Sequence, residues 1–437
     1  MTNVPPFAQR SIDSPRLRLA GALGPWTQDL AALLALPAYR RFWLSTFASN
    51  FTLWTEVIIT GWVALQLTGS PWLVALTGVG RAAVVPLIAP LSGALADRVD
   101  RVLLVRIAEW GNLAALALLA GTILTGHGSY WLLLVGTVWF GMAMALAWPS
   151  RRALLMDLAG PDYLLSAVVL ERVTQSVARV IGPLLAGTLL ALWGGGAYAA
   201  LVLFPALSLG ALGRLTVVRV AGDTARVPVW RQLREGLAYV RGEPIIWAVL
   251  LMTIAMNCFV FSAKYLYPVF AEDVLHVGPV ELGWMGAANG IGAPLMLLLL
   301  PRLSGERSYG WTLVLGAVLA SLALASFAAS TSLPLAIALL TLSGMAQAGF
   351  AVMQSTLILS RAEPELRGRA MGLLVLSTGS TPFGSLGAGA VAERWGAPIA
   401  IGAGALLCAV LVAVIAWRSP QLLRPRHMAA PAPAAAG

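Results

Sequence analysis

The sequence predicts an all-α integral membrane protein with twelve transmembrane helices in two six-helix halves. Three observations predict it. Of 437 residues, 59% are hydrophobic and only 11% are charged, against about 45–50% and about 25% in soluble domains. The apolar residues gather into twelve runs, each near the ~20 residues that a bilayer core demands. The basic residues crowd into alternate connections and nearly vanish from the others. One soluble core cannot absorb this excess, because cores stop growing near ~250–300 residues. Disorder needs low hydrophobicity and is excluded.

The first run, about 42–66, follows Arg40-Arg41 and ends at Gly69-Ser70-Pro71. The second, 72–96, ends at a charged cluster, and the third, 102–124, begins just beyond it. The fourth, 130–150, closes at Arg151-Arg152. The fifth and sixth, 164–191 and 196–218, are parted by three glycines. The second half repeats the scheme over 244–270, 280–301, 310–328, 334–359, 370–392 and 397–417. Gly, Pro, Ser and charge fill the connections, as breakers do.

Orientation follows from the 29 basic residues, of which Lys264 is the only lysine. The N-terminal tail and alternate connections hold 24 of them, and the opposite connections hold only Arg394. This positive-inside pattern places both termini in the cytoplasm, which requires an even number of spans. The net charge of +10 is therefore read as an orientation signal. A nucleic-acid binder concentrates such charge on a polar domain, and none exists here.

The expected organisation is a cytoplasmic tail over 1–38, a six-helix bundle over 39–218, a linker over 219–243, a second bundle over 244–418 and a disordered cytoplasmic tail over 419–437. In the linker, Trp230, Leu233, Leu237 and Val240 recur at helical spacing, which predicts an amphipathic interfacial helix. Trp26 to Leu36 is a similar piece before the first span. The halves thus start alike, as duplicated transporters do. The N-terminus lacks the basic–apolar–small pattern of a cleaved signal peptide, so the first long run is expected to be a retained anchor.

No catalytic or metal chemistry is expected. Cys258 and Cys408 each lie in an apolar run, and no CxxC pair exists. His127, His276 and His427 lack metal-ligand spacing. There is no GxxxxGK[ST] loop and no HExxH.

Two motifs carry a resemblance. Gly93-Ala94-Leu95-Ala96-Asp97-Arg98-Val99-Asp100-Arg101 follows the second run. It resembles the cytoplasmic signature of the major facilitator superfamily, G-x-L-a-D-[R/K]-x-G-[R/K]-[R/K], with Asp100 in place of the second glycine. The resemblance implies a clasp that holds one conformation and releases in another, with Gly93, Asp97, Arg98 and Arg101 as its residues. Glu109, about seven residues into the third run, is expected to join Asp97 near the cytoplasm. In the fifth run, Ala178 to Gly187 resembles the exporter motif g-x-x-x-G-P-x-x-G-G through Gly182, Pro183 and Gly187. Tight packing of a kinked helix reads the same residues without transport. The stretches "YRRFWLSTFASNFTLWTE", "LRGRAMGLLVLSTGSTPFGSLGAGAVAERWG" and "YPVFAEDVLHVGPVELGWMGAANGIGA" are similar to the bacterial branch of enterobactin exporters and macrolide-efflux proteins. The resemblance covers about 38–418 and implies the major facilitator fold.

Charges inside the runs are functional candidates, because each costs a few kcal/mol at the bilayer centre. Glu56 lies about ten residues before the outer end of the first run, and Arg81 about ten after the outer start of the second. At 1.5 Å per residue both sit about 15 Å deep, so antiparallel neighbours bring them to one level. A Glu56–Arg81 pair reads either as a static clasp or as a proton-coupling site. Arg172, Gln175 and Arg179 follow i, i+3, i+7, and Glu171–Gln175 is i, i+4, which makes one polar stripe. Lys264, beside Tyr265 and Tyr267, reads as an interfacial anchor or as a contact for an anionic substrate. Asn50, Asn257, Asn289, Gln347 and Gln354 are the uncharged polar candidates for a cavity wall, with Trp54, Phe261, Phe350 and Met353 as apolar ones.

The expectation is an exporter of an amphipathic small molecule, drug or siderophore-like, working by alternating access and proton antiport. Its partners are that substrate, protons and the lipid bilayer. It is expected to be a monomer in the bacterial inner membrane, with no cofactor and no nucleic acid. A nutrient importer or facilitator of the same fold is the alternative. A membrane enzyme or a non-transporting membrane protein is more remote.

Overall fold

The computed structural model describes residues 25–96, 99–213, 215, 229–303 and 309–423. Every regular element among them is helical. The chain enters through a short helix, α1 (Pro25–Ala35). Its Leu33 is fully buried in a cluster with Tyr39, Phe42, Val105 and Leu154. The amphipathic piece read before the first span is therefore a packed helix.

The first half follows as α2 (Pro37–Thr68), α3 (Pro71–Ala96), α4 (Arg101–Leu124), α5 (Tyr130–Trp193) and the pair α6 (Ala197–Leu201) and α7 (Leu203–Leu212). Proline begins α2 and α3, where its missing N–H costs nothing and its φ suits a helix. The long α5 is two passes. Gly160, at φ 68°, breaks the helical conformation ahead of Pro161, a backbone region open mainly to glycine. The second half is α8 (Val229–Gly242), α9 (Pro244–Met256), α10 (Tyr267–Asp273), α11 (Pro279–Leu303), α12 (Tyr309–Ala328), α13 (Leu333–Arg361), α14 (Arg367–Thr378), α15 (Thr381–Trp395) and α16 (Ala397–Arg418). The linker helix expected over 219–243 is α8. Its earlier residues, like 1–24, 304–308 and 424–437, lie outside the described residues.

Eight stretches are long and apolar enough to cross a membrane, and one of them, Tyr130–Leu212, contains three passes. The two remaining passes among the described residues are α2 and the α14–α15 pair. Thr46, Asn50, Thr52, Thr55, Glu56 and Thr60 dilute the apolar character of α2. The α14–α15 pass breaks at Gly379-Ser380. Its counterpart α9–α10 breaks too, through a π-turn at Asn257–Phe261 and a 3-10 turn at Ala263–Leu266. The two breaks meet: Thr381 Oγ1 donates to Asn257 Oδ1 at 3.1 Å. Cys258 Sγ lies 3.4 Å from the Ser380 carbonyl. Freed backbone groups are tolerated at membrane depth when a neighbouring helix takes them up.

The halves touch along two seams, α3 against α15 and α5 against α11. Large apolar side chains cover the outside. Trp110, Trp131, Leu298 and Trp417 are 60–79% exposed, a surface suited to lipid.

Asp100 illustrates how one departure from the signature is used. Its carboxylate accepts from Val102 N at 2.8 Å and caps α4. We expect Asp100→Ala to cost about 1 kcal/mol, while Asp100→Gly costs only a few tenths. Thermal unfolding of the purified protein in detergent checks the order.

Candidate functional site

The pair anticipated above is buried in the first half. Arg81, on α3, forms an ion pair with Glu56, on α2, and both are buried at 7% and 1% exposure. Thr60 donates to Glu56 Oε1 from one turn along the same helix. Its hydroxyl proton is thereby used, so the Tyr198 hydroxyl, 2.8 Å away on α6, donates to Thr60. The Phe140 ring covers the Arg81 guanidinium at 5.6 Å. The charges thus have Coulomb, hydrogen-bond and cation–π compensation, which a buried pair needs.

A second pair lies towards the arginine-rich end. Arg151 donates to Glu109 Oε1 at 2.9 Å, Ser49 Oγ at 2.6 Å, Thr46 Oγ1 at 3.0 Å and Ser45 Oγ at 3.1 Å. The sequence reading placed Arg151 in a connection, because it follows an apolar run. The structure corrects this: α5 continues for another turn and more, and Arg151 is only 7% exposed. Glu109 pairs with that arginine, and its expected link to the clasp falls on residues that are not described. Asp97 and Arg98 lie outside the described residues, and Gly93 falls within the last two turns of α3. Arg101 pairs with Asp157 at 2.5 Å.

Between these two pairs runs a cleft of about 140 Å³, lined by Asn50, Glu56, Arg81, Glu109, Asn112 and Arg151 among others. Its rim at the arginine-rich end carries Arg152, Glu171, Arg172 and Gln175. The polar stripe of the fifth pass is present there. Arg172 donates to Gln175 at 3.2 Å and Gln175 to Glu171 at 3.1 Å. Glu109 Oε2 and Asn112 Oδ1 are buried with no hydrogen-bond partner among the described residues.

The remaining candidates divide. Arg179 reaches across to the second half and donates to Asn289 Oδ1 at 2.9 Å. Its guanidinium lies 5.2 Å over the Trp54 ring, and Lys264 Nζ lies 5.9 Å over the same ring. These four residues form one group. Asn50 lines the cleft and bonds to the Thr46 carbonyl. Asn257 is taken up by the break in the seventh pass. Phe261 is half-buried against the core, and Gln354 accepts from Thr253 at 2.9 Å. Phe350, Met353 and Gln347 are corrected. Phe350 is fully buried in the core, with its backbone lying against Gly316. Met353 is also buried in the core, and Gln347 is buried and donates to Ser343. No cluster of His, Cys, Asp or Glu suited to a metal occurs among the described residues.

The exporter-like motif has a clear structural use. A Cβ on Gly182 would meet Trp54 Cβ at 2.8 Å, and one on Gly187 would meet the Pro279 carbonyl at 2.4 Å. From the other side, a Cβ on Gly283 would meet the Pro183 carbonyl at 2.7 Å. The motif therefore brings α5 close to α2 at Gly182 and builds its seam with α11 through Pro183 and Gly187, at the arginine-poor end.

A family model described as "Transmembrane secretion effector" matches residues 28–432. "Enterobactin exporter EntS" of Shigella boydii serotype 4 is 26% identical over 404 residues, covering 89% of this chain and 94% of that protein. The protein of the same name from Escherichia coli O1:K1 matches to the same extent. Among solved structures, a bacterial homologue of the human lysosomal transporter Spinster, inward-facing and unoccupied, superposes with a TM-score of 0.66 at 15% identity, over 92% of this chain and 98% of that one. A bacterial homologue of the iron transporter ferroportin, inward-facing, gives 0.66 at 18% identity, over 88% and 99%. These structural likenesses establish the fold.

Proposed function

Because the chain belongs to the transmembrane secretion effector family of the major facilitator superfamily, and is thus a multi-pass transporter rather than an enzyme, we propose that it exports an amphipathic, siderophore-like small molecule by proton antiport. The observation that carries export is the likeness, over 89% of the chain, to proteins described as enterobactin exporters. Proton coupling rests on Glu56 and Arg81. As a closed pair they hold each other's charge. Parting them during alternation leaves a buried carboxylate without its countercharge, and a proton neutralises it. The protein then works as a monomer in the bacterial inner membrane with both termini cytoplasmic. The arginine distribution supports that orientation, and the cleft rim then opens to the cytoplasm.

The test is accumulation of a catechol siderophore and of a panel of drugs in cells expressing the protein, with and without a protonophore. Expression is expected to lower accumulation of at least one compound severalfold, and the protonophore to restore it. Unchanged accumulation throughout removes export. A fall that the protonophore does not reverse removes antiport. Uptake rather than extrusion in oriented vesicles identifies an importer.

A further inference from the structure

The seam between the halves carries two cations that pair with no carboxylate among the described residues. Arg179 and Lys264 come from opposite halves and each lies over the ring of Trp54, at 5.2 and 5.9 Å. Lys264 also lies 5.2 Å over the ring of Tyr265. Arg179 has one hydrogen-bond partner among the described residues, the neutral amide of Asn289. No ion pair among the described residues includes either cation. Several nearby acids have partners of their own: Glu56 with Arg81, Glu171 with Gln175, Glu272 with Gln66, and Glu281 with the Gly278 amide.

Charged groups at membrane depth normally face a partner or a pathway. Here ring faces and an amide supply only part of that compensation. The missing component is an anion. Its surroundings are aromatic, and the Lys264 side chain is exposed, so its ammonium is free to turn onto a ligand. We propose that Trp54, Arg179, Lys264 and Asn289 form a subsite for an anionic aromatic group of the transported molecule. Lys264 turns off the Trp54 ring onto the negative charge, the aromatic group takes its place on Trp54, Arg179 pairs with the same charge, and Asn289 holds Arg179 in place. A basic amine at the same position meets two like charges and is rejected. Since the four residues come from both halves, occupation also ties the halves together. The proposal rests on the transporter reading and adds the charge and character of the cargo.

Naphthoate, naphthamide and naphthylmethylammonium share a ring system and differ in charge. Their binding to the full chain in lipid nanodiscs, measured by calorimetry, tests the subsite. Naphthoate is expected to bind about tenfold more tightly than the amide, and the ammonium least. Arg179→Gln and Lys264→Gln are each expected to lower naphthoate affinity about tenfold and leave the amide unchanged. Lys264→Arg should retain the preference. Equal affinities for all three probes, binding of none, or an unchanged order in both glutamine variants overturns the proposal. If Arg179→Gln fails to fold, Lys264→Gln, altered at an exposed side chain, still decides. Anion preference without outward transport in vesicles removes export and leaves the subsite standing. Outward transport without anion preference does the reverse.

Discussion

Arg81→Met is expected to destabilise the protein strongly and to abolish transport, whereas adding Glu56→Gln restores the fold and leaves transport absent. Glu56 is 1% exposed and Arg81 7%. Removing one member leaves the other charge buried alone, which costs about 3–5 kcal/mol. Methionine keeps much of the length of the arginine stem, so packing against Phe140 is largely retained. Replacing both partners removes the uncompensated charge, and such exchanges are often neutral. Glutamine at 56 still accepts from Thr60, so the Tyr198–Thr60 chain is preserved. Thermal unfolding and transport, measured on the unaltered protein and on both variants, separate the two roles. If the double variant regains protonophore-sensitive transport with its stability, the pair is a static clasp and carries no proton.

How far the pair was legible follows from geometry. Glu56 and Arg81 lie at equal distances from one hairpin, so antiparallel passes bring them level whatever their tilt. Arg151 was hidden by the opposite circumstance. A basic residue after an apolar run marks an interface, and only the continuation of α5 to Gly160 shows it buried. Nothing in its spacing predicts the meeting with Glu109, which depends on how α4 and α5 pack. Phe350 misled for a related reason. A transmembrane helix is apolar on every side, so periodicity cannot separate the face packed in the core from the face on the cavity. The breaks in the seventh and eleventh passes were also invisible as such, since each reads as one apolar run. Gly379-Ser380 carries a local signal, but its partner at Asn257 is a π-turn that composition does not mark. The Trp54 cluster was named residue by residue across four separate passes. Its assembly required the close approach of α2, α5 and α11 that the glycines permit.

That close approach yields the second large expectation: Gly187→Ala and Gly283→Ala should each shift the protein away from the state described here. The atoms they would meet are backbone, the Pro279 carbonyl at 2.4 Å and the Pro183 carbonyl at 2.7 Å. Neither can swing aside as a long side chain does, so the helices must part. Overpacking of this kind costs about 1–3 kcal/mol. The cost falls only on the state in which α5 and α11 are close, so it acts as a bias between conformations of about 5- to 150-fold. The same end of the bundle is bridged by Gln66 Nε2 to Glu272 at 3.0 Å and by Ser70 Oγ to Glu393 at 2.8 Å. Cysteines placed at 66 and 272, with Cys258 and Cys408 replaced, report the distance by cross-linking. Cross-linking is expected to drop steeply in both alanine variants, and transport to fall with it, because a cycle held open at one end cannot alternate. Gly210→Ala is the control, as a Cβ there meets nothing within 4 Å. Unchanged cross-linking in the seam variants would mean that the glycines serve packing alone, and that closure at this end is set by the polar bridges.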